Sequence, residues 1–143
     1  MLVRLLYVSR STGPQTTTVT GSILETALRN NPTLGVTGVL CQGQGYFLQV
    51  LEGERDKVNR LYARILADDR HHDVQLLLLD DITQRRFGQW SMAHVSLAAL
   101  EPMVGLMQPA LDPYNAPGES IMQQLDTLLA SSERIKLQAP LPI

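Results

Sequence analysis

Apolar and polar positions along the chain alternate in two rhythms, one of period two and one of period 3.6. LVRLLYVS, Leu2 to Ser9, is rich in branched and aromatic residues and has no turn residue inside it, so it reads as an opening strand. RSTGPQTTT is a loop, broken at Gly13-Pro14. In VTGSILETALRNN, Ile23, Leu24, Ala27 and Leu28 recur at helical spacing; a threonine or serine just upstream can cap this helix, and Pro32 is expected to end it. GVTGVLCQ and GYFLQVLEG are two strands joined through Gly43, Gln44 and Gly45 as a hairpin. ERDKVNRLYARILADD sets Val58, Leu61, Tyr62, Ile65 and Leu66 on one stripe of a second helix. DVQLLLLDDI is a strand whose leucine run predicts cover on both faces, and FGQWSMAHVSL is a further strand after a short loop. Pro102 to Pro117 reads as loop, and GESIMQQLDTLLASSERI as a last helix with Ile121, Leu125, Leu128 and Leu129 as its stripe.

The order βαββαββ contains the double split βαβ of the ferredoxin-like α+β fold. Two helices are expected on one face of a mixed five-stranded sheet. The C-terminal helical segment is expected to cover the other face, which would otherwise be bare. Residues 1–97 then form the main unit, and 98–143 a cap and a loose tail.

Composition narrows the function classes. A chain of 143 residues fits one domain, able to bury roughly 68–70% of its unfolded surface without a disulfide or metal staple. The single cysteine, Cys41, allows no internal disulfide. With no secretory signal in view, a reducing, cytoplasmic setting is expected. The longest apolar run, around Leu76 to Leu79, falls far short of the ~20 residues of a membrane span. The net charge of −2, with both signs mixed, gives no footprint for nucleic acid. Charged residues are only 18% of the chain, against ~25% in typical soluble domains. That leaves apolar surface for a partner or for self-association, and a homo-oligomer is expected.

Candidate chemistry comes from polar residues in apolar strands. By alternation, Val3, Leu5 and Tyr7 share a face, as do Phe47, Gln49 and Leu51. In a ferredoxin-like sheet these two strands are central neighbours, so Tyr7 and Gln49 can meet. Trp90, Met92 and His94 share a face of the last strand, and Asn30 and Asn31 end the first helix. Singly, each has a plain structural role: a core tyrosine, a strand amide bonded to a neighbour, a helix stop, core packing. Together they put a phenol, a primary amide, a second amide and an indole around one cleft, a large hydrogen-bonding capacity for a small core. There is no P-loop, HExxH or nucleophile elbow, and GQG joins two strands rather than opening a helix. RHH at Arg70 to His72 has no partner at metal-ligand spacing, so no metal is expected. A phenol and a neutral amide are poor general bases, which argues against an enzyme. They suit a planar heterocycle with donor and acceptor edges, such as a flavin ring.

These residues sit in RLLYVSR, RNNPTLGVTGVLCQGQGYFLQVLEGERDKV, ARILADDRHH and RRFGQWSM. In order and spacing these segments, from about Leu2 to Val95, resemble the BLUF domains, blue-light sensors that use FAD. The remainder looks like the two-helix cap of short, single-domain members. The resemblance implies that Tyr7 is the light-driven electron and proton donor and Gln49 the switch between it and the flavin. It implies that Asn31 holds the ring edge, with Asn30 a second polar contact and Ile23 packing on the ring. Arg64, Arg70 and His71 are implied as basic groups on the flavin, and Trp90 and Met92 as a relay beside Gln49. Trp90 near Gln49 further implies that the last strand inserts beside the first, in the order 4-5-1-3-2. The cofactor implied is FAD, with FMN or riboflavin left open. With no effector domain in view, output is expected through a separate signalling protein or an oligomer.

Two other classes fit the same fold. A small acylphosphatase-like hydrolase would need Arg4 or Arg10 aimed with Asn31 at a phosphate, and would leave Tyr7 and Gln49 without a role. A structural dimerisation module would need only a satisfied polar core.

Overall fold

The computed structural model describes residues 1–14, 17–89, 91–96 and 113–131. Among them, strands β1 (Leu2–Ser11), β2 (Thr37–Gly43), β3 (Tyr46–Glu54), β4 (His71–Ile82) and β5 (Ala93–Ser96) form one sheet. Helices α1 (Thr17–Leu34), α2 (Arg55–Leu66) and α3 (Gly118–Ser131) flank it. The strand order is β4-β1-β3-β2-β5. All neighbours are antiparallel except β5, which runs parallel to β2.

This is the mixed ferredoxin-like sheet expected, with one correction. The last strand does not insert beside β1, because β3 and β4 already occupy both edges of that strand. It adds instead to the free edge of β2, from Val39 opposite Ala93 to Gln42 opposite Ser96.

Period-two alternation divides the core in two. Val3, Leu5, Tyr7, Leu40, Phe47 and Leu51 pack with Val58, Leu61 and partly buried Ile23 and Ala27 from α2 and α1. Leu6, Val8, Val39, Cys41, Leu48 and Val50 face the other way, against Ile121, Met122, Leu125 and Leu129 of α3. The C-terminal helix therefore covers the face left bare by α1 and α2. Its start is close-packed: a side chain on Gly118 would put Cβ 1.9 Å from the Leu77 carbonyl oxygen.

Local signals explain most element ends. The β2–β3 hairpin turns through Gln44 (φ 55°) and Gly45 (φ 88°), the two positive φ values of a type I′ turn. The first amide of α2 is satisfied by the Met1 carbonyl. Pro32 does not end α1, as expected, but lies in its last turn. The helix stops two residues later, at Leu34, in a Schellman motif, with Gly35 at φ 68°, Gly35 N–H donating to Pro32 O and Val36 N–H to Asn31 O. Leu66 ends α2 and is half exposed, outside the buried stripe. The leucine run of β4 is not covered on both faces either. β4 is an edge strand, and Leu76 and Leu79 are 49% and 44% exposed.

Candidate functional site

The site forms where β1 and β3 pass under α1 and α2. Tyr7 and Gln49 are direct cross-strand partners, so their side chains leave the sheet on the same side, and both are buried. The β1–β4 pairing shifts register between Leu6 and Tyr7, a bulge of the kind that re-aims a neighbouring side chain. The Tyr7 hydroxyl donates to Gln49 Oε1. Gln49 Nε2 in turn donates to Met92 Sδ at 3.4 Å. The amide thus accepts at one end and donates at the other.

Met92 reaches Gln49 from beyond β2, since it directly precedes the Ala93–Val39 pair. The β2 residue before Val39 is Gly38, which has no side chain; an added Cβ would stand 1.8 Å from the Val50 carbonyl oxygen. Gly38 thus lets the β2 backbone pack closely on β3 beside Gln49. Met92 itself is fully buried. Trp90 lies outside the described residues.

In front of this pair is a partly open pocket between the helices and the sheet. Ile23, Thr26, Ala27, Asn30 and Asn31 line it from α1, Leu61 and Ile65 from α2, and Leu40, Phe47, Tyr7 and Gln49 from the sheet. Asp68, Arg70 and His71 close the end beyond α2. Arg64 does not line it; it is exposed on the last turn of α2. Of the site residues expected from sequence, the structure therefore brings Tyr7, Ile23, Asn30, Asn31, Gln49, Arg70 and His71 to one pocket, with Met92 behind Gln49.

Asn31 is 1% exposed. Its Nδ2 donates to the Ser91 carbonyl at 2.8 Å, tying α1 to the start of β5. Its Oδ1 is buried and has no hydrogen-bond partner among the described residues. A buried acceptor left unpaired costs about 1–3 kcal/mol, so the pocket presents an acceptor suited to a ligand N–H.

The far end is held by polar contacts. Arg70 forks onto the Asp68 carboxylate and donates to Ser22 Oγ at 3.0 Å. Hydrogen bonding from Arg70 holds the Asp68 carboxyl below its usual range. His71 bridges Ser9 Oγ at 2.7 Å and the Ile65 carbonyl at 2.6 Å through its two ring nitrogens. Its ring meets Tyr7 edge-on at 6.1 Å, and Tyr62 packs on Tyr7 at 5.6 Å. Burial, then the nearby Tyr62 and Asp68, push the Tyr7 phenol well above its ordinary 10.0. At neutral pH it is a protonated donor.

Sequence reasoning missed Thr26 and Asp68 in the pocket wall, and Ser91. Asp68 lies just beyond the C-cap of α2, two residues before Arg70, an acid–base spacing that could have flagged it. Ser91 acts through its backbone carbonyl, which side-chain patterns do not register.

The hydrolase reading loses its arginines. Arg4 leaves β1 on the α3 face, opposite Asn31, and is bound to Glu52. Arg10 pairs with Asp73 and stacks on Tyr114. No group of histidine, cysteine or carboxylate residues able to hold a metal occurs among the described residues. No described helix is long and apolar enough to cross a membrane.

Residues 2–93 match the family described as BLUF, sensors of blue-light using FAD. The chain belongs to the BLUF family. It is 32% identical over 132 residues to the photoactivated adenylate cyclase subunit beta of Euglena longa, a match covering 92% of this chain and 15% of that protein. The chain thus corresponds to a small part of that relative. Among solved structures it is similar to BlrB, a BLUF protein in its dark state, at 32% identity and a TM-score of 0.75, covering 92% of this chain and 96% of that one. It is also similar to BlsA in its ground state, at 30% identity and a TM-score of 0.77, covering 90% and 88%. Membership makes this BLUF chain a flavin-binding blue-light sensor, and it leaves the hydrolase and dimerisation readings without support.

Proposed function

We propose that this protein holds an oxidised flavin in the pocket between α1, α2 and the sheet, and that Tyr7, Gln49 and Met92 convert light into a hydrogen-bond change. The observation that carries this is the Gln49 amide, which accepts from Tyr7 and donates to Met92 at the wall of the pocket. The pocket also fits the group: Asn31 Oδ1 is an orphaned acceptor that matches the imide N–H between the two ring carbonyls of a flavin. Asn31 and Asn30 hold that ring edge, Ile23 packs on the ring, and Arg70 and His71 serve the end toward the ribityl chain. Trp90 acts in relay with Met92.

When bound, the flavin would supply absorption of blue light and an excited ring able to accept an electron and a proton. Tyr7 gives up the electron from its ring and the proton from its hydroxyl, and recovers both when the ground state is restored. Gln49 carries the lasting change. Its planar amide has a donor end and an acceptor end, so rotation or tautomerisation reverses what Tyr7 and Met92 are offered. A small change there biases a bistable neighbour, here β5 and the α3 cap behind the sheet.

FAD is the form we favour, because the family is described by it. Output passes to a separate signalling protein or through a homo-oligomer. The exposed Leu76 and Leu79 on the β4 edge support self-association. The buried, unpaired Cys41 supports a reducing, cytoplasmic setting. The residues of the pocket sense rather than turn over a substrate, and the family's link to cyclase activity belongs to relatives such as the Euglena longa protein.

Reconstitution tests this reading. The purified chain, loaded in turn with FAD, FMN and riboflavin, should bind flavin and retain FAD most tightly. Gln49→Leu should keep the flavin and lose the normal light-induced red shift. A full shift in that variant would remove the role given to the amide.

A further inference from the structure

Glu52 lies on β3 three residues beyond Gln49 and is fully buried, 0% exposed. Alternation turns it to the α3 face, with Leu48 and Val50. A carboxylate there costs several kcal/mol to desolvate unless it is fully bonded, and this one is bonded throughout. Arg4 forks onto Oε2 through Nε at 2.8 Å and Nη2 at 2.7 Å. The Arg86 N–H donates to both carboxylate oxygens, at 3.0 and 3.1 Å, and the Phe87 N–H donates to Oε1 at 2.7 Å. Arg85 adds a bond from Nη1 to the Glu52 carbonyl at 3.3 Å and another to Thr37 Oγ1 at 3.1 Å.

Two of those donors are backbone amides of the connection leading from β4 to Ser91 and Met92. That connection delivers the thioether to Gln49 and the carbonyl to Asn31. The Arg86 side chain also pairs with Asp126 on α3. One buried carboxylate thus fastens the stretch that feeds the switch on one face and the cap on the other.

We propose that Glu52 is a positioning residue for the photoactive amide: by anchoring the Arg86–Phe87 backbone to the sheet, it sets Met92 against Gln49 and fixes how fast the light-altered hydrogen bonds revert. The proposal rests on the flavin-switch reading above. Glu52 touches neither the pocket nor the reacting groups, so its effect must pass through Met92.

The test is dark recovery after a blue flash, with the full chain loaded with FAD, in wild type, Glu52→Gln, Met92→Ala and the double variant. Glu52→Gln turns amide hydrogens toward Arg4 or the backbone donors. It should retain flavin and change the recovery rate by about tenfold or more, the scale of one lost charge-assisted hydrogen bond. In the Met92→Ala background the same substitution should change the rate less than about twofold, since coupled sites are not additive. Amide exchange at Arg86 and Phe87 should speed up in both backgrounds. If Glu52→Gln does not fold, Arg4→Lys, which keeps the charge but loses the fork, is judged by the same two rates. Recovery at the wild-type rate, or an equal change in both backgrounds, would overturn the proposal. A wild type without flavin or without a red shift would overturn the switch reading and this proposal together.

Discussion

Tyr7 and Gln49 face each other across β1 and β3, and the Tyr7 phenol is the donor to Gln49 Oε1. Tyr7→Phe keeps the ring and removes that donor, leaving a buried acceptor unpaired. Stability should fall by about 1–3 kcal/mol, flavin should still bind, and the red shift should be lost. Because burial raises the phenol above its ordinary pKa, the wild-type dark spectrum should not respond to Tyr7 ionisation as pH rises to 10. Denaturant titration and light-minus-dark spectra check both points.

Asn31 holds its one free acceptor inside the pocket and its donor on Ser91. Asn31→Ala should weaken flavin binding by about 1–3 kcal/mol, roughly 5- to 150-fold in Kd, read by fluorescence titration of released flavin. Unchanged affinity would mean that the orphaned oxygen is not a ligand contact.

Gly38 lets β2 pack closely on β3 beside Gln49, and an added Cβ would meet the Val50 backbone. Backbone cannot yield as a side-chain end can. Gly38→Ala should cost about 1–3 kcal/mol by overpacking and alter dark recovery by shifting the β3 backbone that carries Gln49. A variant with wild-type stability would show that β2 and β3 can separate there without cost.

His94 on β5 has a buried Nε2 with no partner among the described residues, and desolvation lowers its pKa below the ordinary 6.5. As pH falls through 6.5, the unfolded chain takes up a proton on this ring that the folded chain resists. Stability is therefore fully present above 6.5 and declines toward the lower folded pKa. Asp68, whose pKa is lowered chiefly by Arg70, adds a loss of the same sign only below its ordinary 3.8. Thermal midpoints between pH 7.5 and 5 should drop in wild type and flatten in His94→Leu.

Period-two alternation made the Tyr7–Gln49 encounter and the two-sided core legible, because a strand's face is fixed by residue parity alone. Helical spacing did the same for α2 and α3. Strand order was less accessible. Nothing local in AHVS distinguishes insertion beside β1 from addition at the β2 edge; the pairing is decided by which edge is still open. Pro32 misled because proline is tolerated once the last turn closes through Gly35, whose glycine was the better stop signal. The β4 leucines looked buried because run length alone does not reveal an edge. Glu52 went unnoticed in the sequence, although it is in phase with Leu48 and Val50 on a buried strand. Its partners are the Arg4 side chain across the sheet and backbone amides more than thirty residues away, which no local pattern names.

In the proposed switch, light changes hydrogen bonding around Gln49 while the flavin stays oxidised. An absorption spectrum of the flavin-loaded chain before and after a blue flash tests it most directly. A small red shift of the oxidised flavin bands that reverts in the dark is expected. Bleaching of those bands without a shift, or an unchanged spectrum, would contradict it.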